Sequence, residues 1–258
     1  MILLSFDIEE FDLPLEYGRD ITFEHQIAIS SEGCNRILDI LAKNKISGTF
    51  FTTATFAQHA PEILQRIKNE GHELASHSYY HSKFDVTDLL RSKQELERLS
   101  GMQVLGFRMP RMQPVCQKEV EKAGYEYNSS INPTFIPGRY NHFKSSRTFY
   151  QDQNVLQIPS TVTPYMRFPL FWLTFRNISL RLFTKMSKNT YKKDNYLNIY
   201  FHPWEFCERV ADKSYGLPKF IIRNCGDKMV TRLDNYIIEL KQAKLPFSTI
   251  GQWMKTFK

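Results

Sequence analysis

Residues 2–10, Ile2-Leu3-Leu4-Ser5-Phe6-Asp7-Ile8-Glu9-Glu10, join a largely apolar run to a cluster of carboxylates. Short runs rich in β-branched and aromatic residues predict buried strands, and such runs recur along the chain. We predict seven strands, at residues 2–6, 48–52, 73–76, 104–107, 155–158, 198–201 and 247–250. Helical patterns separate them, at residues 33–44, 61–70, 89–99 and 228–244. Alternating strands and helices indicate an α/β fold with parallel strands, and their number favours a barrel over an open doubly wound sheet.

Length and composition are those of a globular domain. The chain has 258 residues, of which 42% are hydrophobic and 24% charged. A single α/β barrel commonly needs about 250 residues, so we predict one domain over residues 1–258. The cysteines lie far apart and form no Cys-x-x-Cys pair, and we expect them to be reduced: Cys34, Cys116, Cys207 and Cys225.

No pattern in the sequence predicts export or membrane insertion. Residues 1–6 are too short an apolar stretch for a secretory signal, and the longest apolar run, 168–175, is well below the roughly 20 residues of a spanning helix. We therefore expect a cytoplasmic protein. The net charge of +7 would suit an anionic partner, such as a phosphate-bearing lipid, a nucleotide sugar or nucleic acid, although solubility alone explains such a charge more often. The Lys and Arg positions match no nucleic-acid motif, so we expect no nucleic-acid partner.

Residues 132–195 differ from the rest of the chain because they are aromatic, basic and weakly periodic. We predict that they form an insertion of long loops and short helices over one end of the barrel. Within this segment, residues 165–186 fit a helix packed on the barrel. The alternative is a peripheral surface that contacts the inner face of a membrane to reach a lipid-linked glycan.

Four predicted strands end in side chains that can ligate, titrate or form ion pairs: Asp7, His77, Arg108 and His202. In α/β barrels the catalytic side chains project from the C-terminal ends of the strands. We therefore expect these four side chains to converge on one face of the barrel.

His77 and His81 stand four residues apart, a spacing that on a helical turn places both imidazoles on the same side. Such a pair suits one divalent metal, although accidental or structural histidines show this spacing about as often. A third ligand is needed. In an extended segment Asp7 and Glu9 point to the same side, so one carboxylate could bind the metal while the other acts as a base. A solvated acidic loop is the alternative interpretation.

Four segments resemble, in the same order, the motifs of the polysaccharide deacetylases. They are residues 5–9 (SFDIE), 77–81 (HSYYH), 108–111 (RMPR) and 197–205 (LNIYFHPWE). The resemblance covers most of the chain and is weakest over 132–195. It implies an irregular (β/α) barrel of seven or eight strands and a metal-dependent hydrolase that removes acetyl groups from the nitrogen of amino sugars.

The resemblance also implies roles for individual residues. Asp7 would be the general base that deprotonates the attacking water, and Arg108 would pair with it. His202 would be the general acid that protonates the leaving amine, and His77 and His81 would bind the metal.

Two further site residues, Arg111 and Trp204, are expected to bind substrate. The backbone N–H of Arg111 would lie where the family stabilises the tetrahedral oxyanion. Trp204 and Glu205, next to His202, could line the sugar site, although a Trp beside a barrel strand is packed core about as often. The other histidines lack a partner at ligand spacing and are expected to be surface or structural: His25, His59, His72 and His142.

The chain departs from the family pattern at two positions. Ile8 stands where much of the family has a metal-binding aspartate, so Glu9 is the expected third ligand and Glu10 a less favoured one. Asn128 stands where a fourth motif often carries aspartate, and it can act only through hydrogen bonds. One divalent metal, zinc, is expected, although a related allantoinase-like branch works without metal.

Three functions stay open at this point. The first is a metal-dependent N-deacetylase acting on an N-acetylated sugar in a glycan or glycan precursor. The second is an allantoinase-like amidohydrolase acting on a small amide or ureido substrate. The third is a non-catalytic glycan-binding barrel, which would have no need of a base, an acid and three metal ligands together. Nothing in the sequence predicts an oligomeric state.

Overall fold

In the computed structural model, which describes residues 1–138 and 140–257, strand β1 (Ile2–Ile8) is buried along its whole length. A strand buried on both faces is typical of parallel sheets covered by helices. β1 runs parallel to β2 (Thr49–Thr52) on one side and to β10 (Leu197–Phe201) on the other. It therefore lies inside the sheet, with its carboxyl end between those of its two neighbours.

The other strands of this sheet are β3 (Glu73–Ser76), β4 (Gly106–Phe107), β5 (Tyr127–Asn128), β8 (Tyr150–Asp152) and β9 (Val155–Gln157). The eight strands follow the order β10, β1, β2, β3, β4, β5, β9, β8, and all pairs are parallel except β8 with β9. A separate antiparallel hairpin pairs β6 (Phe135–Ile136) with β7 (Tyr140–Asn141).

The two sides of the sheet meet through residues that follow β9. The Thr161 N–H donates to the Asn198 carbonyl at 2.9 Å. The Asn198 side-chain amide donates to the Ile158 carbonyl at 3.2 Å and to Ser129 Oγ at 3.0 Å. These contacts curl the sheet, and the predicted irregular α/β barrel in a single domain is confirmed.

Helices surround the sheet: α1 (Leu13–Glu16), α2 (Phe23–Asn44), α3 (Ala54–His59), α4 (Pro61–Asn69), α5 (Asp88–Ser100), α6 (Gln117–Lys122), α7 (Trp172–Asn177), α8 (Leu180–Asp194), α9 (Lys219–Ile222), α10 (Asp227–Gln242) and α11 (Ile250–Met254). Short 3₁₀ turns occupy Pro110–Met112, Pro203–Phe206, Glu208–Ala211, Lys213–Tyr215 and Lys255–Phe257. Across the described part of the chain, the helices are too short or too polar to span a bilayer.

Some predicted strand boundaries are wrong. β1 continues to Ile8, so Asp7 lies within the strand rather than after it. Residues 247–250 form no strand; they contribute one bridge, between Phe247 and Ile2, before α11 begins. β5 and β8 are absent from the prediction because their sequences, Tyr-Asn and Tyr-Gln-Asp, are mostly polar and form no apolar run.

The predicted start of the helix at 33–44 is also wrong, because α2 begins ten residues earlier at Phe23. The Thr22 hydroxyl caps it by accepting a hydrogen bond from the His25 N–H at 3.3 Å. Gly33 lies in the middle of the helix, where an added Cβ would come within 1.8 Å of the Pro203 carbonyl oxygen. The glycine thus allows α2 to pack closely against the turn that follows β10.

The segment 132–195 contains the strand predicted at 155–158, which is β9 of the barrel sheet. It also contains α8, a helix of fifteen residues that packs against α10 and is longer than the short helices predicted there. Within residues 165–186, Phe175 and Phe183 are buried, whereas Tyr165 and Met166 are largely exposed. The membrane contact proposed for these residues stays a prediction.

Candidate metal centre and active site

One cavity of about 370 Å³ lies at the carboxyl ends of the barrel strands. It is lined by seven of the eight predicted site residues: Asp7, Glu9, His77, His81, Arg111, His202 and Trp204. The eighth, Arg108, is fully buried against Asp7. Asp7 belongs to β1, His77 follows β3 directly, and His202 follows β10 directly. The parallel strands therefore bring residues from remote parts of the chain to one site.

Glu9, His77 and His81 form a buried cluster in which one ligand atom of each lies within 4.8 Å of the other two. Glu9 Oε2 is 2.9 Å from His81 Nε2 and 3.5 Å from His77 Nε2. Two ligands at zinc's usual bond lengths in a tetrahedral site would lie about 3.3 Å apart. The three side chains therefore fit a small divalent cation.

The other nitrogen of each imidazole is also bound. His77 Nδ1 lies 2.8 Å from the Arg108 carbonyl oxygen, and His81 Nδ1 lies 2.9 Å from Asp12 Oδ1. Each oxygen accepts a hydrogen bond from the Nδ1–H, which leaves the Nε2 lone pair free for a metal. Asp12 is absent from the sequence prediction; its position three residues after Glu9 in the same acidic segment was the available signal.

A loop presents the two histidines, so the predicted helical turn is wrong. The His77 N–H donates to the Thr52 carbonyl at 2.9 Å, and the Ser78 carbonyl accepts from the Ala54 N–H at 3.1 Å. Ser78 has a φ of 71°, in the left-handed region that non-glycine residues seldom adopt. This bend brings the two imidazole rings to 5.9 Å.

Asp7 is held by a buried arginine. Arg108 Nη1 donates to Asp7 Oδ1 at 2.6 Å. Arg108 is fixed in turn, because its Nε donates to the Ser129 carbonyl at 3.0 Å and its Nη2 to Ser129 Oγ at 2.8 Å. Its guanidinium group also lies 4.1 Å from the centre of the Phe51 ring. With Oδ1 occupied, Oδ2 is the oxygen with which Asp7 can accept a proton.

His202 is held by Glu205, which is fully buried and does not line the cavity. Glu205 Oε1 accepts from the His202 backbone N–H at 2.7 Å and lies 3.1 Å from His202 Nδ1. The sequence suggested that Glu205 could line the sugar site. In the structure Glu205 instead orients His202. His202 Nε2 remains available to the cavity.

A second buried arginine supports Glu205. Arg176 Nε lies 3.0 Å from Glu205 Oε2, an ionic contact without hydrogen-bond alignment. The Arg176 guanidinium lies 5.0 Å from the centre of the Trp172 ring and 5.2 Å from that of Trp204. The sequence showed Arg176 only as one basic residue in an aromatic segment, and it carried no signal of this contact.

The two predicted substrate-binding residues have other partners as well. Trp204 is 3% exposed, its indole N–H lies 3.4 Å from Glu9 Oε1, and its ring stacks on His202 at 5.4 Å. The Arg111 side chain lies 2.7 Å from Glu16 and 3.3 Å from Asp12. The backbone of Arg111 is left-handed, with a φ of 56°. The oxyanion role of its N–H stays a prediction.

Other candidates lie outside the cluster. The Glu10 carboxylate accepts from the Thr53 hydroxyl at 2.9 Å, and Glu10 is not part of the metal cluster. Asn128 accepts a hydrogen bond from the Ser130 hydroxyl, and that hydroxyl accepts from the Met109 N–H at 2.8 Å. The remaining histidines are not part of the metal cluster or of the cavity wall: His25, His59, His72 and His142.

Charges within the site shift two pKa values in opposite directions. Burial alone would raise the pKa of Glu9, but the charges of His81 and His202 and hydrogen bonds from His77 and His81 hold it well below its usual range. Burial alone would lower the pKa of His202, but the carboxylates of Glu9, Glu205 and Asp7 raise it. Glu9 is therefore an anion that can bind a cation, and His202 can carry a proton.

Residues 20–127 match the family model of the polysaccharide deacetylases. The matched segment, 108 of the 258 residues, is similar to this family. The matched range includes His77, His81 and Arg108. The β1 carboxylates and His202 lie outside it, and the structure brings them to the same cavity.

Known members of the polysaccharide deacetylase family share part of this sequence. The peptidoglycan-N-acetylmuramic acid deacetylase PdaA of Bacillus subtilis is 29% identical over 125 residues, which are 45% of this chain and 47% of that protein. The chain thus aligns with about half the length of this curated relative.

Solved structures share the fold over nearly the whole chain. The PuuE allantoinase aligns with a TM-score of 0.67 at 16% identity and covers 97% of this chain and 87% of its own. The Bc1960 peptidoglycan N-acetylglucosamine deacetylase aligns with a TM-score of 0.56 at 19% identity and covers 97% of this chain and 86% of its own. At these identities the likeness shows a common fold.

Proposed function

We propose that this chain is a metal-dependent N-deacetylase that hydrolyses the acetamide of an N-acetylated amino sugar in a glycan or glycan precursor. The observation that carries the proposal is the joint placement of the buried Glu9, His77 and His81 cluster beside Asp7 and His202 in one cavity. The match of residues 20–127 to the polysaccharide deacetylase family model and the similarity to a known deacetylase support it.

Glu9, His77 and His81 would hold the metal, and two imidazoles with one carboxylate are a donor set that zinc accepts. When bound, a divalent cation would supply Lewis-acid polarisation and lower the pKa of a coordinated water. The outer contacts from Asp12 and the Arg108 carbonyl keep both Nε2 atoms directed at this position.

Asp7 would act as the general base. Arg108 fixes the carboxylate through Oδ1, and Oδ2 accepts the proton of the attacking water. Because Arg108 is buried and bound at three nitrogen atoms, the carboxylate keeps its orientation while the proton moves.

His202 would act as the general acid. Hydrolysis of an amide needs a proton on the departing nitrogen, and the carboxylates around His202 raise its pKa so that the imidazolium persists. Glu205 binds Nδ1, so the proton that is donated comes from Nε2.

Acetate release from N-acetylated amino sugars tests the proposal. The full chain is loaded with zinc or treated with a chelator, and acetate is measured on N-acetylglucosamine glycosides and chitooligosaccharides. We expect activity only with metal and none in Asp7→Asn. Release of product from a ureido substrate such as allantoin, with no acetate from any sugar, would favour the amidohydrolase instead. An absence of turnover on both substrate classes would favour a binding protein.

A further inference from the structure

The active-site cavity changes character from its floor to its mouth. The floor carries the buried polar groups Asp7, Glu9, His77, His81 and His202. The rest of the wall includes six apolar side chains: Leu13, Ile136, Pro137, Leu173, Phe220 and Ile221. Pro137 and Phe220 are exposed, so this apolar part reaches the mouth.

The mouth offers few hydrogen-bonding partners to a sugar ring. Among the described residues that line it, Arg111 and Glu16 are joined to each other at 2.7 Å, Asp12 is bound by His81 and Arg111, and Tyr17 and Trp172 add one phenol and one indole N–H. Sugar hydroxyls placed against the aliphatic residues would lose water without gaining a partner, which is unfavourable. A second and third sugar of a glycan chain would therefore bind poorly at this end.

An apolar chain matches the same surface. Burial of apolar area is favourable in proportion to the area removed from water. Two further apolar side chains adjacent in sequence to lining residues, Leu15 and Phe135, are 49% and 55% exposed. Within the cavity, the apolar part of the wall adjoins the polar floor that holds the reacting groups.

We infer that the mouth is a subsite for an alkyl or isoprenyl chain, and that the acetamido sugar reaches the floor as the head group of a lipid-linked substrate. This inference rests on the proposed function and specifies the class of its substrate. The subsite consists of Leu13, Ile136, Pro137, Leu173, Phe220 and Ile221, hereafter the apolar mouth.

Binding of two glycosides tests the apolar mouth without relying on turnover. Zinc-loaded Asp7→Asn protein is titrated by calorimetry with methyl and octyl N-acetylglucosaminide, the octyl compound below its micelle concentration. We expect the octyl glycoside to bind at least tenfold more tightly. Phe220→Ser should reduce this ratio to below threefold, and folding should survive because Phe220 is 54% exposed.

Leu182→Ser is the matched control, because Leu182 is 49% exposed on α8 and does not line the cavity. This variant should keep the tenfold ratio. Equal binding of the two glycosides, or tighter binding of a chitotriose than of the octyl glycoside, would overturn the inference. If the octyl preference holds while wild-type protein releases no acetate from any sugar, the proposed deacetylase function fails and the apolar mouth stands.

Discussion

Glu205 contacts His202 at two points, since one carboxylate oxygen accepts the His202 backbone N–H at 2.7 Å and lies 3.1 Å from ring Nδ1. The second oxygen lies 3.0 Å from Arg176, and the Glu205 and Arg176 side chains are both fully buried. The orientation of the proposed general acid therefore depends on two side chains outside the cavity wall. Both act on the reaction through His202, as positioning residues.

Glu205→Gln should move the alkaline limb of the kcat/KM profile to lower pH. The protonated form of His202 donates the proton, so activity falls as pH rises through its pKa. Glu9, Glu205 and Asp7 together raise that pKa, and a neutral amide at 205 removes one of these charges. A cation bound at Glu9 would offset the charge of that carboxylate. Glu205 would then supply a larger share of the rise in the pKa of His202. The measurement is the pH dependence of acetate release.

Glu208→Gln is the control for this prediction, because Glu208 is exposed and lies three residues further along the chain. Its profile should match that of the wild type. A Glu205→Gln profile with an unchanged alkaline limb would show that Glu205 has no influence on the titration of the acid.

Asp7→Asn should reduce kcat at least about hundredfold, the usual contribution of a general base. The amide has nearly the same shape but cannot take a proton from water. Because Asp7 lies outside the metal cluster, the variant should bind as much zinc as the wild type, which elemental analysis measures. Substantial remaining activity in zinc-loaded Asp7→Asn would exclude Asp7 as the base.

Zinc should stabilise the folded protein through the Glu9, His77 and His81 cluster. At a free concentration one hundred times the Kd, a ligand that binds only the folded state adds about 2.7 kcal/mol to the free energy of unfolding. Thermal melts with zinc and with a chelator measure the difference. The effect should disappear in Glu9→Gln and in His81→Ala.

Glu10→Gln is a close control for the metal prediction, since Glu10 is adjacent and buried but bonded to Thr53. This variant should keep the zinc-dependent rise in melting temperature. Loss of the rise in Glu10→Gln, with retention in Glu9→Gln, would reverse the assignment of the third ligand.

Arg176→Met should lower the free energy of unfolding by about 3 kcal/mol, because it leaves a buried carboxylate without its cationic partner. The double variant Arg176→Met with Glu205→Leu should recover part of this loss, since no buried charge then remains. Urea unfolding followed by fluorescence measures both. A double variant less stable than Arg176→Met alone would contradict the expected coupling.

Much of the fold was predictable because strands and helices carry local patterns. The predicted strand at 73–76 coincides with β3, and the helix predicted at 61–70 differs from α4 by one residue. The carboxylates of β1 and the histidine pair were visible as short motifs next to apolar runs. The start of α2 was not predictable in this way. Glycine often marks the end of a helix, but Gly33 lies inside α2, where it permits a close contact with Pro203.

No local sequence pattern predicted the contacts that orient the side chains of the site. His81 meets Asp12 across 69 residues, and Arg176 reaches Glu205 from a different helix. Neither contact follows from spacing or periodicity. Each arises only when the barrel has formed.

The residues alone predicted the barrel, because strands and helices carry periodic patterns, and their short motifs carried the resemblance to the polysaccharide deacetylases and the side chains capable of chemistry. The partners that orient those side chains, and the apolar mouth of the cavity, emerged only in the folded chain. Their elements are remote in sequence, and hydrogen bonding and burial act between them only after the strands align.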